Sequence, residues 1–229
     1  SGYGEDEINA LVVGQFDRVY VGGSNSSRGI IYQLLANTTG VLAATGVAAT
    51  GASTITSLAV GSDSGIWAAG YTDGAGWQFV APDDPAPQRA AGGGLDMFVA
   101  KYDAALQGVQ YNYLIGGASD DVAFGIALDR RGDIYLGGYT RSANYPAQNA
   151  VQATRTDTDA TTTDGVITKL GCAVKAFLPI PAQPAAGGTG TVNVFAASGC
   201  AIEPVSDSAW LHVGAVSGNA VSFTADPNP

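Results

Sequence analysis

The sequence predicts an all-β fold of repeated sheets, and three observations predict it. Residues 7–23 (EINALVVGQFDRVYVGG), 54–70 (TITSLAVGSDSGIWAAG) and 122–138 (VAFGIALDRRGDIYLGG) superpose without a gap. The segments 30–34 (IIYQL), 98–102 (FVAKY) and 166–170 (VITKL) alternate apolar and polar side chains, as a strand with one covered face does. Glycine reaches 32 residues, and no window keeps a helical apolar period for three turns without Gly or Pro, so very little helix is expected.

Each repeat opens with a hairpin. Leu11, Leu58 or Ile126 stands eight positions before Val19, Ile66 or Ile134, an aromatic follows at Tyr20, Trp67 or Tyr135, and Gly23, Gly70 or Gly138 closes the pattern. Between the apolar runs lie GQFD, GSDSG and DRRGD, whose Gly, Asp and Ser suit tight reversal of the backbone. The alternating segment supplies a third strand. In the first two units a glycine, Gly40 or Gly108, follows six residues on, and the stretch before the next hairpin has room for a fourth strand. Gly70 to Phe98 and Gly138 to Val166 are both 28 residues apart, whereas Gly23 to Ile30 is only 7, so unit one lacks a long loop. The units run about 1–50, 51–117 and 118–171.

A short four-stranded sheet cannot bury both faces by itself. Stacked radially around an axis it can, and the architecture expected is a β-propeller with one unit per blade, in preference to a linear β-solenoid or a sandwich. Propellers close with about four blades or more, so three units are expected to form an incomplete ring.

The run 94–152 resembles the bacterial SBBP β-propeller repeat family through Phe98 to Lys101, Tyr113 to Gly117, Gly138 to Thr140, and Tyr145 with Pro146. The likeness is closest in unit three, looser in unit one, and spans roughly residues 1–171. It implies a secreted or surface-displayed bacterial scaffold rather than a catalyst, in rings of more blades than three. The missing blades are expected from the remainder of a longer chain or from another chain, for instance by two-fold pairing of three-blade halves. SGYGEDE stands in the register of GGASDDV, so the first residue falls at a unit boundary and a cut or processed chain is expected.

After Leu170 the charges thin out, and residues 177–200 bring prolines, paired glycines and an alternating Val192, Val194, Ala196 strand. Residues 172–229 resemble the start of a BACON-type, immunoglobulin-like module. The likeness rests on Cys172, Gly187, Gly188, Gly199, Cys200, Ser208, Ala209, Trp210 and Leu211. The module is expected to be truncated or completed by a strand from elsewhere. In an oxidising compartment Cys172 and Cys200 are expected to form a structural disulfide, worth about 3 to 4 kcal/mol on the chain-entropy model.

Charge and side-chain chemistry narrow the function. The net charge is −10 and Arg130–Arg131 is the only adjacent basic pair, which disfavours nucleic acid. No apolar run is long enough for a membrane span. Two cysteines and one histidine lack the spacing of a zinc site. His212 alternates onto the face of Trp210 in a strand, and GSDSG has aspartate where a nucleophile elbow needs serine, so no catalytic residue is expected. Asp120 and Asp121 are a strand's length from Asp129 and Asp133, and are read as turn-capping groups rather than a calcium or acid/base cluster. Asp157, Asp159 and Asp164, in DTDATTTD, are the remaining calcium candidates; otherwise no cofactor is expected.

The insertions 71–97 and 139–165 occupy equivalent places and are expected on one rim, with Trp77, Phe79 and Tyr145 as candidate ligand or partner contacts. The expected function is a noncatalytic extracellular scaffold for surface display, adhesion or assembly. The alternatives are a carbohydrate-binding accessory region of a larger secreted polysaccharide-acting enzyme, and a filament subunit completed by strands from its neighbours. The expected partners are a protein or further copies of the chain, and a glycan.

Overall fold

The computed structural model describes residues 6–35, 40–78, 92–146, 150–152, 154, 161–171, 174–176, 185–196, 204, 206, 208–217 and 220–227. The expectation of an all-β fold holds: beyond a three-residue 3-10 turn at Gln15–Asp17, the described elements are strands. The first sheet holds β1 (Glu7–Val13), β2 (Val19–Asn25), β3 (Arg28–Leu34) and β4 (Val41–Gly46) in consecutive order. The second repeats it with β5 (Ser53–Val60), β6 (Ile66–Thr72), β7 (Asp96–Tyr102) and β8 (Val109–Ile115). The third has β9 (Asp121–Leu128), β10 (Ile134–Thr140) and β11 (Asp164–Leu170). All these pairings are antiparallel.

The sequence repeat becomes a geometrical one through a bulge. In β1, β5 and β9 the register slips at the same repeat position, leaving Asn9, Thr56 and Phe124 out of the ladder. A bulge of this kind bends the strand and re-aims one side chain. Next to it, the closing glycine accepts the close approach of the neighbouring backbone: a Cβ on Gly23, Gly70 or Gly138 would collide with the carbonyl oxygen of Glu7, Thr54 or Val122. That is why the pattern ends in glycine three times.

Sheets stack because each has two apolar faces. Strand β5 packs across β1, β2 and β3, and β9 packs across β5, β6 and β7. Alternation splits the central sheet between two cores. Ile66, Ala68, Phe98, Ala100 and Tyr102 join Tyr20 and Ile31 of the first sheet, while Trp67, Ala69, Met97 and Val99 join Ala123, Ile134 and Leu136 of the third. Hence all seven residues of β7 are buried.

A second cross-strand motif recurs, placing an aromatic opposite a long polar side chain. Tyr20 faces Gln33, whose Nε2 donates to the Tyr20 hydroxyl at 3.2 Å. Trp67 faces Lys101, and Tyr135 faces Lys169, each ammonium lying over its ring at 5.4 and 5.3 Å. The two lysine pairs add a cation–π attraction to the cross-strand contact.

Strands β12 (Val174–Ala176), β13 (Gly188–Ala196), β14 (Leu211–Ser217) and β15 (Ala220–Ala225) form one further sheet in the order β12-β13-β15-β14. Here one expectation is corrected. No disulfide occurs among the described residues, and Cys172 and Cys200 both lie outside them. What ties the two flanking segments together is a backbone ladder, from Val174 opposite Ala196 to Ala176 opposite Val194. The crosslink is therefore withdrawn.

Candidate functional site

The segments that leave β6 and β10 sit at equivalent places and are anchored in the same way. Asp73 N–H donates to Ala52 O at 3.0 Å, and Arg141 N–H donates to Asp120 O at 2.8 Å. Side chains then fix each loop. The Asp73 carboxylate accepts from Ala52 and Ala75 N–H at 3.0 Å, and Asn144 Oδ1 accepts from Ala118 N–H at 2.8 Å. Arg141 donates to Asp120 Oδ2 at 3.0 Å and lies over the Tyr139 ring.

Two of the candidate aromatics, Trp77 and Tyr145, fold back on these sheets. Trp77 is half-buried against the first core, its ring 5.6 Å from that of Phe98. Tyr145 packs on the second core; its hydroxyl lies 2.6 Å from Thr168 Oγ1 and donates to Met97 Sδ at 3.5 Å. Burial pushes the Tyr145 hydroxyl up to about 12, with the Thr168 bond opposing and the Asp121 charge adding to the rise. Phe79, Asp157 and Asp159 lie outside the described residues, and Asp164 starts β11 opposite Thr140. Among the described residues no group of three or more His, Cys, Asp and Glu is placed to hold a metal.

Carboxylates of the hairpin turns work locally. Asp129 Oδ1 accepts from Arg131 and Asp133 N–H at 2.9 and 3.0 Å, and Asp63 Oδ1 accepts from Gly65 N–H at 3.1 Å. Asp63 also pairs with Lys101, which is fully buried. Burial alone would raise Asp63; the bonds from Lys101 and Gly65 outweigh it and hold the carboxyl below its usual range. His212 Nε2 lies 3.1 Å from each carboxylate oxygen of Asp226, both residues being largely exposed on the last sheet. The sequence placed His212 on a strand and gave no sign of this partner, 14 residues away.

Two carboxylates with raised equilibria meet where the sequence showed only a turn-capping role for Asp121 and nothing for Asp96. Asp96 on β7 and Asp121 on β9 are buried where the second and third sheets meet. Both crowd Gly116, on which a Cβ would collide with Asp96 Oδ1 and stand 3.0 Å from Asp121 Oδ2. Asp121 Oδ2 accepts from Gly117 N–H and from the Ser142 hydroxyl, both at 2.7 Å; Asp96 Oδ2 accepts from Gly92 N–H at 2.8 Å. The Oδ1 atom of each is buried and has no hydrogen-bond partner among the described residues. Burial, and then the Asp121 charge, push Asp96 up to about 6 against the pull of the Gly92 N–H. Burial also raises Asp121, opposed by Thr140, Ser142 and Gly117. Both side chains are buried, and both carboxyls are held above their ordinary range. Their one signature is a glycine pair shortly before each aspartate, in GGGLD and GGASDD.

Residues 112–146 match the SBBP family, a beta-propeller repeat. The SBBP match starts in β8 of the second sheet, takes in β9 and β10, and ends just past Tyr145. It is shorter than the resemblance in the sequence, and nothing in the comparisons supports a BACON-type or immunoglobulin-like module at 172–229. No curated protein matches the chain. No helix among the described residues is long and apolar enough to cross a membrane.

Proposed function

We propose that the chain is a noncatalytic scaffold whose first three sheets are β-propeller blades, serving display, adhesion or assembly outside the cell. The observation that carries this reading is the joint between sheets, made twice in the same way. Asn9 Nδ2 of the first sheet donates to Ile55 O of the second at 3.2 Å, and Thr56 Oγ1 of the second donates to Ala123 O of the third at 2.7 Å. Both donors are the bulged residue, and both acceptors stand at one repeat position. The up-and-down strand order and the match at 112–146 support the same view.

The titratable groups with shifted equilibria also serve the framework. Asp63 holds the buried Lys101, and Asp96 and Asp121 sit in the joint between sheets. Long loops on a rigid β frame are where recognition is usually carried, so the segments after β6 and β10 are the proposed display surface. The test is to screen the purified chain for hydrolysis of polysaccharide and peptide substrates, and for binding on a glycan array. No turnover is expected; hydrolysis by the chain alone would end the noncatalytic reading.

A further inference from the structure

Two carboxyl groups meet at the joint between the second and third sheets with no positive charge paired to them. Asp96 is 1% exposed and Asp121 0% exposed, and neither forms an ion pair among the described residues. Their Oδ2 atoms are taken up by Gly92 N–H, Gly117 N–H and the Ser142 hydroxyl, which leaves one buried, unpartnered Oδ1 on each. Both carboxyls border the one place that a Cβ on Gly116 would fill, and the unpartnered oxygen of Asp96 is the atom it would strike. The neighbouring Asp120 is matched by Arg141 at 3.0 Å, so the uncompensated charge here is that of the pair itself. A buried acceptor without a partner and a buried charge without a counter-charge are both costly, and native proteins fill such places with an ion, a water or a proton.

The first joint shows that closing two sheets does not require this arrangement. In the repeat register Arg28 stands for Asp96, Ser53 for Asp121 and Ala48 for Gly116. There Gly29 N–H donates to Ser53 Oγ at 2.9 Å and Arg28 donates to Thr50 O at 3.3 Å. The second joint changes all three residues together, to two acids and a glycine that gives them room. The backbone is drawn in as well: a Cβ on Gly92 would stand 2.5 Å from Gly117 O, and one on Gly93 would strike Ala118 O. What gathers here is oxygen, from carboxylates and from backbone carbonyls, the ligands that a hard divalent cation takes. We propose that Asp96 and Asp121 bind one calcium ion through their Oδ1 atoms, bridging β7 of the second sheet to β9 of the third. Two acids are not a full coordination set, and backbone oxygen and water supply the rest. Calcium fits better than magnesium, because it accepts irregular sets of protein oxygens whereas magnesium keeps several waters, and both carboxyls are shut from solvent. The site goes beyond the scaffold reading and stands whether or not the chain turns over a substrate.

The test is calorimetric titration of calcium chloride into the chelator-treated chain at neutral pH, with urea midpoints measured in calcium and in EDTA. One equivalent is expected to bind and to raise the midpoint, since a ligand held only by the native state stabilises it. Magnesium is expected to bind about tenfold more weakly or less. Asp96→Asn keeps the side chain's shape and an acceptor for Gly92 N–H; it is expected to fold, by circular dichroism, and to lose both the binding and the midpoint rise. Asp129→Asn, in a hairpin turn, is expected to bind as the unaltered chain does. The proposal would be overturned by an unaltered chain that takes up no calcium at millimolar concentration, or several ions with no change in midpoint. Equal binding of magnesium, undiminished binding by Asp96→Asn, or loss of binding in Asp129→Asn would overturn it too.

Discussion

At Gly70 the carbonyl oxygen of Thr54 occupies the space a Cβ would need, beside the bulge at Thr56. Gly70→Ala must therefore push two backbones apart, and a loss of about 1–3 kcal/mol is expected in urea unfolding, the usual range for forced overpacking. Asp96 makes a different prediction. Its carboxyl is raised to about 6, above the ordinary 3.8 of the unfolded chain, so the native state holds the extra proton between these values. The stability it contributes is complete below about pH 4 and is lost as pH rises through about 6. The lowered Asp63 acts in the opposite sense and only on the acid side of 3.8, which leaves the window to the raised pair. Unfolding free energies measured across that window should fall with rising pH in the unaltered chain. Asp96→Asn should flatten the slope, and an unchanged slope would refute the assignment.

Single strands show how far position within the stack overrides residue type. Ile31 and Ile167 occupy the same place in β3 and β11, yet one is sealed between sheets and the other faces solvent. Ile31→Ala is expected to cost about 2–5 kcal/mol and Ile167→Ala no more than about 0.5 kcal/mol in the single chain, read from urea midpoints. Strand and turn positions were legible in the sequence, because alternation, turn residues and closing glycines are local signals. Which face is covered was not, since Ile31, Val99 and Ile167 carry one pattern and differ only in what lies beyond them. Asp96 and Asp121 meet across two sheets from 25 residues apart, and no local period records that. Trp77 looked like a loop aromatic; its packing on Phe98 depends on where the loop returns.

For the whole molecule, stability follows from neighbour contacts between sheets in a row. The central sheet is covered on both sides and the outer two on one, so the outer sheets should open first and amide exchange should be slowest in β7, whose seven residues are all buried. Equal protection in β1, β7 and β11 would contradict this order. The closing glycine lies on the neighbouring strand, opposite the residue just before the bulged one. A duplication or deletion that separates them would leave a kink without its clearance, or a clearance without its kink. Tandem expansion and contraction of the gene should therefore proceed in whole-sheet steps, and homologues of different length should differ by integral multiples of the unit.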